Sequence, residues 1–113
     1  VLRDYLDAYE MRPSRIEPLL ELSQYFRARK NYAKAFLFAS VGARMPIPDD
    51  SLFVNYEAYR WLMLDELCTV AYYVDRNDEG SWACRSLISK AEEIDFTPRQ
   101  LDRFRTNLAY YEE

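Results

Sequence analysis

The chain has 113 residues, half of them hydrophobic, which is enough for one small domain with a buried core. Its net charge of −4, with acids and bases interspersed, predicts neither a nucleic-acid surface nor a polybasic membrane patch, and no apolar run is long enough to span a membrane. With two cysteines and no histidine, these residues cannot form a four-ligand zinc site or a histidine-dependent catalytic nucleophile. We therefore expect no cofactor and no metal.

The first predicted element is a short amphipathic helix over residues 2–11, which starts in mid-pattern and without a methionine. The segment is therefore expected to come from a longer protein. Ser14 is a candidate N-cap for the next helix, with Glu17 completing a capping box, and Asn31 can cap the one that follows. These two helices form a first predicted hairpin over residues 15–44.

Small residues on the second helix of this hairpin allow another helix to approach closely. Ala35 and Ala39 lie on its predicted apolar stripe, and Leu37 and Val41 are expected to widen that stripe. Ser23 on the first helix is expected to face Ala35, because a small residue on each side lets two backbones close.

A proline-containing loop at residues 46–51 separates this hairpin from a second one, predicted over residues 54–94. The first helix of the second hairpin is apolar on nearly every side, which predicts a position in the middle of a stack. Asp78 is a candidate cap for its second helix, which turns Trp82 towards the core. A last helix over residues 98–112 follows a threonine cap and a proline at its first position.

The two hairpins repeat the same logic of small residues, since Cys68 and Gly80 are expected to pair as Ser23 and Ala35 do. The offset between Ala35 and Gly80 exceeds the roughly 34 residues of a tetratricopeptide unit, and the proline-containing loop accounts for the excess. The spacing favours a helical repeat.

Short motifs also run through the chain: Ala8-Tyr9-Glu10 with Arg12-Pro13, Pro48-Asp49-Asp50 with Leu52-Phe53-Val54, Leu64-Asp65-Glu66-Leu67, and Ala71-Tyr72-Tyr73. Through them the chain resembles tetratricopeptide-like modules that follow the catalytic domain in some glycosyltransferases with a family-2-type N-terminal domain. The resemblance implies that sugar-nucleotide chemistry belongs to that other domain, and no catalytic residue can be carried over. We predict a single all-α domain over residues 1–113, a tetratricopeptide-like right-handed stack of about five or six antiparallel helices.

Asp65 and Glu66 interrupt the most apolar helix, and neighbouring carboxylates can act as acid and base or hold a metal. Adjacent helical residues point about 100° apart. One carboxylate is therefore expected to face a groove while the other meets an arginine, with Arg27 and Arg60 as candidates. A structural role is favoured over catalysis.

In tetratricopeptide stacks the first helix of each hairpin lines the concave side. The predicted binding surface on that side consists of Glu17, Gln24, Arg27, Asp65, Thr69, Tyr72, Tyr73 and Tyr110. Tyrosine offers a large contact area and a hydroxyl at low entropic cost, which suits a binding surface, although ten tyrosines can equally be half-buried packing.

Cys68 and Cys84 lie on facing helices of one predicted hairpin, so that a disulfide is conceivable. Free buried cysteine at small-residue positions is the commoner case, and we expect reduced thiols in a cytoplasmic protein. Trp61 and Trp82 each sit in an apolar stripe and are expected in the core rather than in a ligand cage.

Three functions remain open from the sequence. The first is a non-catalytic scaffold whose partner is a protein or peptide, the parent's own catalytic domain or a second copy of the chain. The alternative is a substrate-binding accessory that holds an acceptor glycan or peptide for the glycosyltransferase. The third, least favoured, is a helical enzyme that uses Asp65 and Glu66.

Overall fold

The computed structural model describes residues 17–45 and 61–112, and the regular structure in these residues is all helical, without a strand. Within them lie five α-helices: α1 (Glu17–Ala28), α2 (Tyr32–Ala43), α3 (Met63–Val70), α4 (Asn77–Ser89) and α5 (Pro98–Tyr111). Turns of 3-10 helix extend α3 through Ala71–Val74 and α4 through Lys90–Glu92. The all-helical prediction is confirmed for this part of the chain. No helix in it is long and apolar enough to cross a membrane.

Several predictions fall on residues that the structure does not describe. They are the helix over residues 2–11, the Ser14 cap, the loop at residues 46–51 and the start of the second hairpin.

The predicted caps of α2 and α5 are confirmed. The Asn31 side chain accepts a hydrogen bond from the Lys34 backbone N–H (3.4 Å) and starts α2. Before α5, the Thr97 hydroxyl accepts from the Gln100 N–H (3.1 Å), and the Gln100 side chain accepts in return from the Thr97 N–H (2.8 Å). This reciprocal pair satisfies two backbone donors that have no partner inside the helix.

The predicted cap of α4 is wrong. Asp75 adopts the left-handed conformation (φ 58°, ψ 30°), which reverses the chain early. The Arg76 N–H then donates to the Ala71 carbonyl (3.0 Å), and the Arg76 carbonyl accepts from the Gly80 N–H (3.0 Å). The helix therefore begins at Asn77. Asp78 lies in its first turn, where a carboxylate interacts favourably with the helix dipole.

The core lies between consecutive helices, which contact one another from α1 to α5 in chain order. Every described helix contributes buried side chains, among them Leu22, Phe26, Ala35, Ala39, Met63, Leu67, Val70, Leu87 and Phe104. As predicted, α3 is buried on most of its surface. Burial of each large apolar side chain stabilises the fold by about 1.5–3 kcal/mol.

Three large apolar side chains that were predicted to join the core are instead exposed. Leu37 is 55 % exposed and Val41 46 %, because each lies two positions, or about 200°, from a buried alanine of α2. Trp82 is 40 % exposed, and the guanidinium carbon of Arg44 lies over one face of its ring, 4.5 Å from the ring centroid. Trp61 is half-buried, and its ring meets that of Phe96 edge to face.

The small residues pair as predicted in one hairpin and differently in the other. The Ser23 hydroxyl donates to the Ala35 carbonyl (3.0 Å), which joins α1 to α2. Cys68 forms a disulfide with Cys84, which lies one helical turn after Gly80. The Cα atoms of the two cysteines are 5.3 Å apart. The expectation of reduced thiols is therefore wrong, since the close approach of α3 and α4 brings both sulfurs together.

Candidate functional site

The end of α3 and the last turns of α5 border an open cleft of about 350 Å³. We call it the tyrosine cleft, and its lining residues are Cys68, Thr69, Tyr72, Tyr73, Asn107, Tyr110 and Tyr111. Three of its tyrosines expose about half of their surface to solvent, Tyr72 by 52 %, Tyr73 by 55 % and Tyr110 by 53 %. The volume is at the lower end of the range for ligand pockets and suits one or two amino-acid side chains.

Tyr111 is the buried wall of the cleft and ties three helices together. Its hydroxyl donates to the Cys68 carbonyl and accepts from the Tyr72 N–H (3.0 Å). Its ring fills the space that Gly80 leaves on α4, where a Cβ would overlap the ring. Burial raises the pKa of Tyr111 to about 12, and the phenol stays neutral. This side chain therefore fixes the cleft and is not available to a ligand.

The exposed tyrosines form one continuous aromatic surface. The ring of Tyr72 meets that of Tyr73 edge to face (centroids 5.6 Å apart) and that of Tyr110 at a tilt of 59° (5.9 Å). Tyr73 stacks with its other neighbour, Tyr32 of α2, at 4.0 Å and nearly parallel. Each such pair contributes about 0.5–1.5 kcal/mol beyond burial, so the rings are held in place before any ligand binds.

The polar groups of the cleft are neutral. The Thr69 hydroxyl donates to the Asp65 carbonyl one turn earlier (2.9 Å), which uses its proton and leaves its oxygen as an acceptor. The Asn107 amide nitrogen lies 3.6 Å from the Cys68 sulfur, to which it donates. No charged side chain lines the cleft among the residues that the structure describes.

Both carboxylates of the Asp65-Glu66 pair are bound by arginines. Arg103 of α5 donates two hydrogen bonds to the exposed side of Asp65 (2.6 and 2.9 Å), and Arg27 of α1 donates two to buried Glu66 (both 2.9 Å). These bonds are the main cause that raises the pKa of each guanidinium above its usual value. The Ser23 hydroxyl, which has a single proton and lies closer to the Ala35 carbonyl (3.0 Å), is also within 3.3 Å of Glu66.

The expectation that one of the two carboxylates faces a groove is therefore wrong, because α1 and α5 each bring an arginine to α3. Arg27 is a partner as predicted, and Arg60 lies outside the described residues. The two ion pairs join α3 to α1 and to α5.

The predicted binding surface is only partly brought together. Thr69, Tyr72, Tyr73 and Tyr110 share the tyrosine cleft, whereas Asp65 and Arg27 are in ion pairs. Gln24 is exposed on α1 and does not line the cleft, and the side chain of Glu17 lies outside the described part of the chain.

Sequence reasoning missed two cleft residues on α5. Asn107 lies three positions before Tyr110 and four before Tyr111, so that it neighbours both tyrosines on the helix surface. That spacing was a usable signal.

A second hollow, of about 390 Å³, lies beside Trp82 between α2, α3 and α4. Arg44 covers the Trp82 ring there and also binds Glu79 (2.8 Å). The chain's own side chains thus already occupy the ring face, and the tyrosine cleft is the better candidate site.

Comparison of the chain with protein-family models, with curated proteins and with solved structures gives no significant match.

Proposed function

We propose that this segment is a non-catalytic helical module that binds a segment of a partner protein in the tyrosine cleft. One observation carries the proposal: three half-exposed tyrosines from two helices converge on one preformed, uncharged cleft. Tyrosine is enriched where proteins bind one another, because its ring is large and rigid and its hydroxyl adapts to polar partners.

The arrangement that we propose for the helices is a right-handed, antiparallel stack of the tetratricopeptide type. The short connections between α1 and α2, between α3 and α4 and between α4 and α5 support it, as do the helix contacts in chain order and the Ser23 to Ala35 contact. The short motifs of the sequence, from Ala8-Tyr9-Glu10 to Ala71-Tyr72-Tyr73, are the reason to propose a glycosyltransferase-like parent, within which the module serves as a scaffold.

The engaged carboxylates support a non-catalytic role. A general acid or base has to reach the proton that it transfers. Asp65 and Glu66 instead each accept two hydrogen bonds from a guanidinium, an arrangement that ties helices together.

The test is an affinity comparison on peptides selected against the whole chain from a random library. We expect Tyr72→Ala and Tyr110→Ala each to weaken the binding of selected peptides at least about tenfold, as for residues at the centre of an interface. Leu37→Ala is the matched control, since Leu37 is equally exposed on another surface. Peptides that lose affinity only in the Leu37 variant would place the interface elsewhere and contradict the proposal.

A second candidate is the binding of an acceptor glycan in the same cleft. The juxtaposition of tyrosine faces with the Asn107 amide in an uncharged cleft favours it, because such groups can cover the apolar faces of a sugar and bond its hydroxyls. Oligosaccharides that shift the NMR signals of Tyr72 and Tyr110, when no selected peptide does, would establish this candidate instead.

The disulfide bears on the compartment. Disulfides persist in oxidising compartments and are rare in the cytosol. Because Cys68 and Cys84 are bonded, we propose an oxidising compartment in place of the cytoplasm. Mass spectrometry of the protein from its natural source, alkylated before reduction, tests this: two alkylated thiols would contradict it.

A further inference from the structure

The chain's own arginines cover aromatic rings outside the tyrosine cleft. The guanidinium carbon of Arg29 lies 3.7 Å from the ring centroid of Tyr25, that of Arg44 lies 4.5 Å from Trp82, and that of Arg76 lies 5.3 Å from Phe36. Such contacts are attractive because a ring face carries partial negative charge. Half-exposed rings on this molecule are therefore commonly paired with cations.

The rings of Tyr72 and Tyr110 differ in this respect. Each is more than half exposed, and the cation–π contacts within the described residues all involve other rings. Their contacts are with neighbouring tyrosines, at centroid distances of 5.6 Å and more. They therefore present ring surface that no lysine or arginine of residues 17–45 and 61–112 is seen to cover.

The charge of the chain favours such a cation. The net charge is −4, and no lysine or arginine lines the tyrosine cleft in the described residues. A positively charged segment is attracted to this molecule, whereas a second copy, with the same net charge, is repelled. Charge thus selects a basic partner over a homodimer.

The shape and the acceptors of the cleft suit a guanidinium. The two rings are tilted by 59°, so a flat guanidinium can stack on one ring while its edge reaches acceptors beside the other. Those acceptors are the Thr69 hydroxyl oxygen and the Asn107 amide oxygen, since the Asn107 nitrogen already donates to Cys68. A guanidinium has five donors and needs such neutral acceptors when no carboxylate is near.

Building on the proposed function, we infer that the partner segment is basic and that one of its arginines stacks on Tyr72 and Tyr110. The cleft then binds a positive charge through aromatic rings and neutral oxygens, and the net negative charge of the chain favours the approach of the segment.

The test uses two blocked pentapeptides, with arginine or its uncharged isostere citrulline between glycine and serine residues. Each is titrated into the whole chain and followed by NMR. We expect the arginine peptide to shift the signals of Tyr72 and Tyr110 and to bind about two- to fivefold more tightly than the citrulline peptide, the range for an exposed cation–π contact. Raising the salt concentration should narrow this difference.

Two pairs of variants separate the ring from its hydroxyl. Tyr72→Phe and Tyr110→Phe keep the ring and should retain the preference for arginine. Tyr72→Leu and Tyr110→Leu keep apolar area but remove the ring, and should abolish the preference. Circular dichroism melting curves show whether each variant is folded before it is compared.

The outcomes distinguish this inference from the proposed function. Equal binding of both peptides in the cleft would overturn the basic partner and leave the peptide site intact. A preference for arginine that survives in the leucine variants would also overturn it. Oligosaccharides that shift the cleft signals, when neither these peptides nor any selected from the library does, would overturn the proposed function itself.

Discussion

Neutralising Glu66 should destabilise the fold far more than neutralising its neighbour Asp65. Glu66 is buried and accepts two hydrogen bonds from Arg27, whereas Asp65 lies nearer solvent and accepts two from Arg103. Hydrogen bonds to a charged group are worth about 1.5–3 kcal/mol, and an exposed ion pair about 0.2–1 kcal/mol. Arg27 is half-exposed and can turn to water once its partner is lost. We therefore expect Glu66→Gln to lower the free energy of unfolding by about 1.5–3 kcal/mol.

The two substitutions form a matched pair, because they make the same chemical change at adjacent positions of one helix. Urea unfolding followed by circular dichroism gives the free energy of unfolding of each variant. Arg27→Met and the double variant with Glu66→Gln complete a mutant cycle, for which we expect a coupling of about 1 kcal/mol or more. Equal losses for Asp65→Asn and Glu66→Gln, or no coupling in the cycle, would refute the assignment of Glu66 as a buried junction of α1 and α3.

Three further outcomes are expected around the tyrosine cleft. Gly80→Ala should lower the free energy of unfolding by about 1–3 kcal/mol in urea, despite the better helix propensity of alanine, because the new methyl group overlaps the Tyr111 ring; Ser81→Ala, on the same turn, should not. The raised pKa of Tyr111 favours the neutral phenol in the fold, so the stability that Tyr111 contributes is complete below pH 10 and lost as the pH rises to about 12. In a plot of the free energy of unfolding against pH, Tyr111→Phe should reduce the slope between these two values. An unchanged slope would contradict the role of Tyr111. The disulfide joins Cys68 to Cys84 over a sequence separation of 16. Its reduction should lower the free energy of unfolding by about 3 kcal/mol, because the unfolded chain gains the entropy of the opened loop. Melting curves with and without reductant measure this loss.

The parts of the fold that follow from local chemistry could be predicted. The caps at Asn31 and Thr97 depend on a few neighbouring residues, and each helix begins where its cap predicts. The buried nature of α3 likewise follows from its composition alone. Such features need no knowledge of which helix packs on which.

Features that depend on packing angles could not be predicted in the same way. Leu37 and Trp82 are apolar and fit a helical stripe, but only the docked helices decide which edge of a stripe is covered. The start of α4 depends on the left-handed conformation of Asp75. Aspartate can adopt this conformation, but its presence in the sequence does not show that it does. The disulfide needed the distance between α3 and α4.

The candidate site was half predictable for a related reason. Tyr72, Tyr73 and Tyr110 were identified from the sequence. Arg27 was a predicted partner of the adjacent carboxylates, but Arg103 was not. Arg103 of α5 binds Asp65 because α5 packs against α3, and the sequence does not show which helices pack together.

The most direct test of the proposed binding site is an NMR map of the whole chain with a peptide selected against it. Our account predicts that the largest shifts of backbone amides centre on Thr69, Tyr72, Asn107 and Tyr110, and that they are lost in the Tyr72→Ala variant. Shifts that centre instead on the exposed face of α2 around Leu37, and survive in that variant, would contradict it.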